Sequence, residues 1–172
     1  MTITFEAELI KIGDRQIIVL PLDSSKKIPS RGMSMVQGTL NEMSFKAPVE
    51  PDGKGSHWIE VRSSLSEKTG IAIHDKVILN IEPLNKWIEP EVPEDIINAI
   101  KKESLINKWE SLTTRARWDW LRWIRATANP ETRKKRIEVT CSKLQKGDKN
   151  PCCFDRTRCT ITDVSKSGVL LD

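Results

Sequence analysis

The chain has 172 residues, 38% hydrophobic and 30% charged, with a formal net charge of +4. That is room for one ordinary domain or two small ones, which argues against a large multidomain enzyme. No apolar run approaches the roughly 20 residues of a membrane span and no basic-then-apolar leader stands at Met1, so the sequence predicts a soluble cytoplasmic protein with no membrane contact.

The charge is unevenly spread. Residues 1–88 carry 11 basic and 11 acidic side chains, whereas 89–172 carry 17 and 13. Within 108–149 there are 12 basic against 5 acidic residues, an excess of 7. A partner drawn by charge is expected there.

Residues 1–88 read as a small β-barrel domain. Phe5–Ile12 alternates apolar with polar, Gly13-Asp14 turns the chain, and Gln16–Leu20 returns, so these two strands are expected to pair. A loop over Asp23–Ser30 leads to Met33–Leu40 and Met43–Val49, a hairpin around Asn41-Glu42. Pro51–Gly55 is a further turn; His57–Arg62, a short helix over Ser64–Gly70 and a strand over Lys76–Pro83 follow. Six short strands with turns at regular intervals suggest a small closed barrel.

Pro90 and Pro93 open residues 89–150, a module of three to four short helices. Pro93 is placed as the first helical residue, followed by Glu94 and Asp95 at the positive end of the dipole; Ile96, Ile97 and Ile100 form the apolar stripe. Leu105, Trp109 and Leu112 resume the helical spacing. Thr113 or Thr114 caps a helix over Arg115–Ala128 with Ala116, Trp120, Trp123, Ile124 and Thr127 inward, and Arg115, Trp118, Arg122 and Arg125 on other faces. Asn129 caps the last helix, with Pro130 at its first position, Ile137, Cys141 and Leu144 buried, Gly147 at its end, and Arg133, Lys134, Lys135, Arg136 and Lys143 forming an exposed basic surface. Residues 151–172 are a cysteine-containing tail, in which Thr160–Thr162 adds one short strand or frays.

No nucleophile, base and anion hole stand together in the sequence, and the histidines are His57 and His74. Gly53 and Gly55 lack the following helix and Lys-Ser/Thr of a phosphate loop. Alternation puts His57 on a face with Ile59 and Val61, as a possible barrel site whose bland reading is structural, since no acid or thiol adjoins it. His74-Asp75 reads as a turn. A zinc site would need Cys141, Cys152, Cys153 and Cys159, whose spacing lacks paired knuckles; reduced thiols fit better, with Cys141 on an apolar helix face and Cys152 or Cys153 beside Phe154. Neither metal nor cofactor is expected.

Trp120-Leu121-Arg122-Trp123-Ile124, then Pro130–Ile137, and Gly147 with Pro151-Cys152-Cys153-Phe154 resemble the YdeI/OmpD-associated, or bacteriocin-protection, family. The first half is similar to domain of unknown function 1905 in Phe5-x-Ala7, Val36-x-Gly38-Thr39-Leu40, Asp52-Gly53-x-Gly55-x-His57 and Gly70-Ile71 to Val77; relatives usually have Gly where this chain has His74. The resemblance covers about 3–154. It implies an α+β protein: a double-split β-barrel, as in swapped-hairpin transcription factors of the AbrB and MazE kind, followed by the helical module.

Two functions from different classes are expected, with an enzyme third. In the first, Arg122, Arg125, Arg133, Lys134, Lys135 and Arg136 neutralise the phosphates of a nucleic acid, Thr132 adds a helix N-terminus, and Trp118 stacks on a base. The bland reading of these residues is a solvated face over a helical core. In the second, the protein is an interaction or stress-protection factor without nucleic acid, and open hairpin edges allow a homodimer. An enzyme would have to use Thr132-Arg133 as an anion site beside His57.

Overall fold

In the computed structural model, which describes residues 1–152, 154–162 and 164–171, seven antiparallel strands form the N-terminal sheet. They are β1 (Ile3–Glu8), β2 (Ile10–Ile12), β3 (Arg15–Val19), β4 (Ser34–Leu40), β5 (Met43–Pro51), β6 (His57–Glu60) and β7 (Lys76–Pro83). Their lateral order is β1-β7-β4-β5-β6-β3-β2. The two strands at the ends of that order are joined through Leu9 alone, so the sheet curls back on itself.

This corrects the expected first hairpin. The stretch read as one strand divides at Leu9: β1 pairs with β7, from Ile3↔Ile81 to Glu8↔Lys76, and only β2 pairs with β3. Leu9 is fully buried, and its backbone bonds to the turn before β7, donating to Asp75 O at 2.9 Å and accepting from His74 N at 2.7 Å. Alternation reveals which face of a strand is buried, whereas the change of partner at Leu9 is a tertiary choice.

The β4–β5 hairpin forms as expected, with Asn41 at φ 45° and Glu42 at φ 73°, the left-handed pair a two-residue turn requires. Gly38 is fixed by close approach: a Cβ there would lie 1.8 Å from Asn80 O on β7. Two short helices, α1 (Leu22–Ser25) and α2 (Ser63–Thr69), complete this part. Ile3, Leu9, Ile18, Val36, Leu40, Val49, Ile59, Val77, Leu79 and Ile81 fill the interior, and Leu65 of α2 packs on them.

The helical part consists of α3 (Glu94–Lys102), α4 (Ile106–Ser111), α5 (Thr114–Arg125) and α6 (Pro130–Gln145). Pro93 is the N-cap of α3, one position earlier than expected. Thr113 caps α5 by accepting from Ala116 N at 3.1 Å. Asn129 caps α6 by accepting from Glu131 N at 2.9 Å, and Pro130 opens the helix without a donor to satisfy. Ile96, Ile100, Trp109, Trp120, Ile124, Ile137, Cys141 and Leu144 lie in one cluster. Among the described residues, no helix is long and apolar enough to cross a membrane.

The chain divides between Ile88 and Glu89 into a sheet unit and a helical unit. Arg156–Cys159 and Val164–Leu171 belong to the sheet unit, and Thr160–Thr162 to the helical unit. Thr160–Thr162 forms neither the added strand nor a frayed tail, since Thr160 and Ile161 are buried without strand pairing; β8 (Ser165–Lys166) and β9 (Val169–Leu170) instead form a hairpin around Ser167 and Gly168, both at positive φ. Thr160 is drawn into the helical unit by its side chain, whose Oγ1 accepts from Arg125 Nε at 2.9 Å. The hairpin docks within its own unit: Leu170 N donates to Asp52 O at 2.7 Å, and a Cβ on Gly53 would meet Gly168 O at 2.0 Å.

Candidate functional site

The basic surface expected on α5 and α6 is largely engaged within the helical unit. Arg122, expected on an outer face of α5, is 1% exposed, with its guanidinium carbon 5.3 Å from the centre of the Phe154 ring. Arg125 is half-buried and bonded to Thr160 as above. One turn back, Trp120 Nε1 donates to Lys149 O at 2.9 Å. Trp120, Arg122 and Arg125 therefore clasp the stretch that follows α6. Trp118 is half-buried.

On α6, Arg133 forms a two-point pair with Asp95 of α3, Nε to Oδ2 at 2.8 Å and Nη2 to Oδ1 at 3.0 Å. These bonds hold the Asp95 carboxyl below its ordinary pKa. Arg136 donates to Trp123 O at 2.7 Å, and its guanidinium carbon sits 5.2 Å from the Trp123 ring centre. Trp123 in turn meets Trp120 edge-on, centroids 6.0 Å apart. Lys143 lies 3.9 Å from Asp148. Thr132 is half-buried, its N–H directed at the Asn129 cap at 3.4 Å. Of the eight residues expected to meet a nucleic acid, only Lys134 and Lys135 are exposed.

Two partners were not legible as site residues. Asp95 sits far up the chain from Arg133, and its only sequence signal is its place in the first turn of α3. Arg117 joins α4 to the linker: Nη2 reaches Glu89 Oε1 at 2.6 Å, while Nη1 donates to the carbonyls of Trp109, Glu110 and Leu112 at the end of α4. Orphan carbonyls at a helix terminus favour a cation there. The Arg117 bonds also hold the Glu89 carboxyl below its usual range.

In the sheet unit His57 is 1% exposed and both ring nitrogens are engaged. Nε2 lies 2.9 Å from Gly32 O, which can only accept, so Nε2 carries the proton. Nδ1 then accepts from Ser25 Oγ, 2.7 Å away. A serine hydroxyl on an imidazole is the arrangement of an activated nucleophile. Here Ser25 is 0% exposed, and the pair acts as a clip that holds α1 to β6. Thr132 and Arg133, imagined beside His57 in an enzyme, belong to the helical unit, whereas the ring partners of His57 belong to its own.

Among the cysteines, Cys141 is buried on α6, where burial raises its thiol pKa. Cys152 is exposed, so it does not pack beside Phe154 as a buried residue; Cys159 is buried, and Cys153 lies outside the described residues. Among the described residues, no group of three or more His, Cys, Asp or Glu is placed to hold a metal ion.

The fold defines an α+β protein in which a curled antiparallel sheet precedes a helical unit. Residues 5–81 match the model of a domain of unknown function, DUF1905, and residues 89–147 match that of the family described as bacteriocin-protection, YdeI or OmpD-associated. The first match falls within the sheet unit and the second within the helical unit. Comparison with curated proteins finds no match.

Proposed function

We propose that this is a non-catalytic binding protein whose helical unit engages a protein partner. What supports this reading is the internal engagement of the arginines: Arg122 is buried, Arg133 is paired with Asp95, and Arg136 lies on Trp123. A nucleic-acid backbone is bound chiefly by cations that face water and release counterions on contact. The description of the family matched over 89–147, bacteriocin protection and OmpD association, favours the same side.

Nucleic-acid binding is the second reading, supported by the excess of 7 positive charges over 108–149 and by exposed Lys134 and Lys135, neighbours on α6. Titration of the intact protein with a mixed-sequence DNA duplex and an RNA strand at two salt concentrations, followed by tryptophan fluorescence, separates the two. The first reading expects no saturable change. Quenching that weakens with salt along a slope of about −2, and that disappears in a Lys134→Ala/Lys135→Ala variant, would establish the second.

A further inference from the structure

All buried polar and charged residues described within 1–88 fall in two short stretches: Ser24 and Ser25, and Glu50, Asp52, Ser56 and His57. The loop that carries α1 is tied to the second stretch at its start, middle and end. At the start, Leu20 N donates to His57 O at 2.9 Å and Ser56 Oγ donates to Leu20 O at 2.7 Å. In the middle, Ser25 Oγ donates to His57 Nδ1, and at the end His57 Nε2 donates to Gly32 O. The middle and end ties both run through one imidazole.

A second proton on that ring disrupts the arrangement in a specific way. It would occupy Nδ1, so the Ser25 hydroxyl would have to turn from donor to acceptor. Arg31 Nη1 already points at the same oxygen from 3.4 Å, and Arg31 also donates to Ile28 O at 2.9 Å and to Ser25 O. The charged surroundings are mixed: Arg31 on the loop opposes the new charge and Asp52 at the end of β5 favours it. Asp52 Oδ1 is already occupied by the Lys54 and Ser56 amides at 2.7 and 2.9 Å. Glu50 is buried opposite Trp58, and the Arg156 backbone lies against Gly32.

We propose that His57 is an acid-sensitive latch: as the neutral ring it holds the loop 21–32 shut on the sheet unit, and on taking up a second proton it lets that loop open. Burial holds the His57 pKa below its ordinary value. The unfolded or opened state therefore binds the proton more readily, so the latch is firm above the ordinary histidine pKa and weakens as pH falls below it towards the folded value.

Hydrogen exchange on the full chain tests this between about pH 7.5 and about pH 5, after correction for the intrinsic pH dependence of exchange. The amides of Ser25, Lys26, Lys27 and Ile28, bonded inside the loop, are expected to lose protection by roughly tenfold while those of β7 keep theirs. Glutamine can accept from Ser25 and donate to Gly32 without titrating, so His57→Gln is expected to abolish the pH response. Unchanged protection in the wild type, or the same loss in His57→Gln, would overturn the latch. Should that variant not fold, the wild-type imidazole resonances decide: the His57 midpoint must coincide with that of loop opening, and separate midpoints contradict the proposal.

Discussion

His74 occupies φ 75° in the turn before β7, a conformation that costs a non-glycine residue about 1 kcal/mol or more. The position is one where glycine is at home, and the turn holds without it because its frame is closed elsewhere. Asp75 Oδ2 accepts from Ala72 N at 2.8 Å, and His74 N donates to Leu9 O at 2.7 Å. The ring is exposed, 3.5 Å from Glu8 Oε1, a contact of little energetic weight at the surface. His74→Gly is therefore expected to stabilise the protein by about 0.5–1 kcal/mol, strain relief exceeding the added entropy of the unfolded chain. Urea denaturation measures this, and a lower midpoint would show that the histidine contributes more than its backbone costs. His57 differs in what the sequence reveals. Alternation places it on a face with Ile59 and Val61, yet Trp58 on the opposite face is buried as well, and Ser25 as its partner has no local signal, because the contact arises only when the loop closes on β6.

At the scale of elements, the features read most directly were those that a helix end makes with its own neighbours. Asn129 and Pro130 set the start of α6, and Thr113 the start of α5, as their types demand. Asn129→Ala is expected to cost about 1 kcal/mol, seen as a lower thermal midpoint; an unchanged midpoint would mean water replaces the cap. Strand neighbours were less legible, as the division at Leu9 shows, since periodicity carries no information about which edge a strand will meet. The basic face of α6 was legible in composition and misplaced in exposure. Arg133 looks unneutralised along its own helix because its acid is on α3. That pair is part-exposed and contributes no more than about 1 kcal/mol, yet it removes a cation from any partner.

For the whole molecule, the surplus of positive charge over 108–149 describes a sum over residues, not a surface. The division into a sheet part and a helical part, and the four helices of the latter, followed from periodicity and prolines. The fate of the charges did not, because a long aliphatic stem allows an arginine to pack inward while its head finds ring faces and carbonyls. Arg122 is the clearest instance, buried on α5 against Phe154. The most direct measurement is the unfolding free energy of Arg122→Ala beside that of Lys134→Ala, from denaturant curves on the intact protein. If the arginines hold the helical unit together, Arg122→Ala costs about 3 kcal/mol or more while Lys134→Ala stays within about 0.5 kcal/mol. If both variants stay within that narrow range, Arg122 is a surface cation and the nucleic-acid reading regains its strongest ligand.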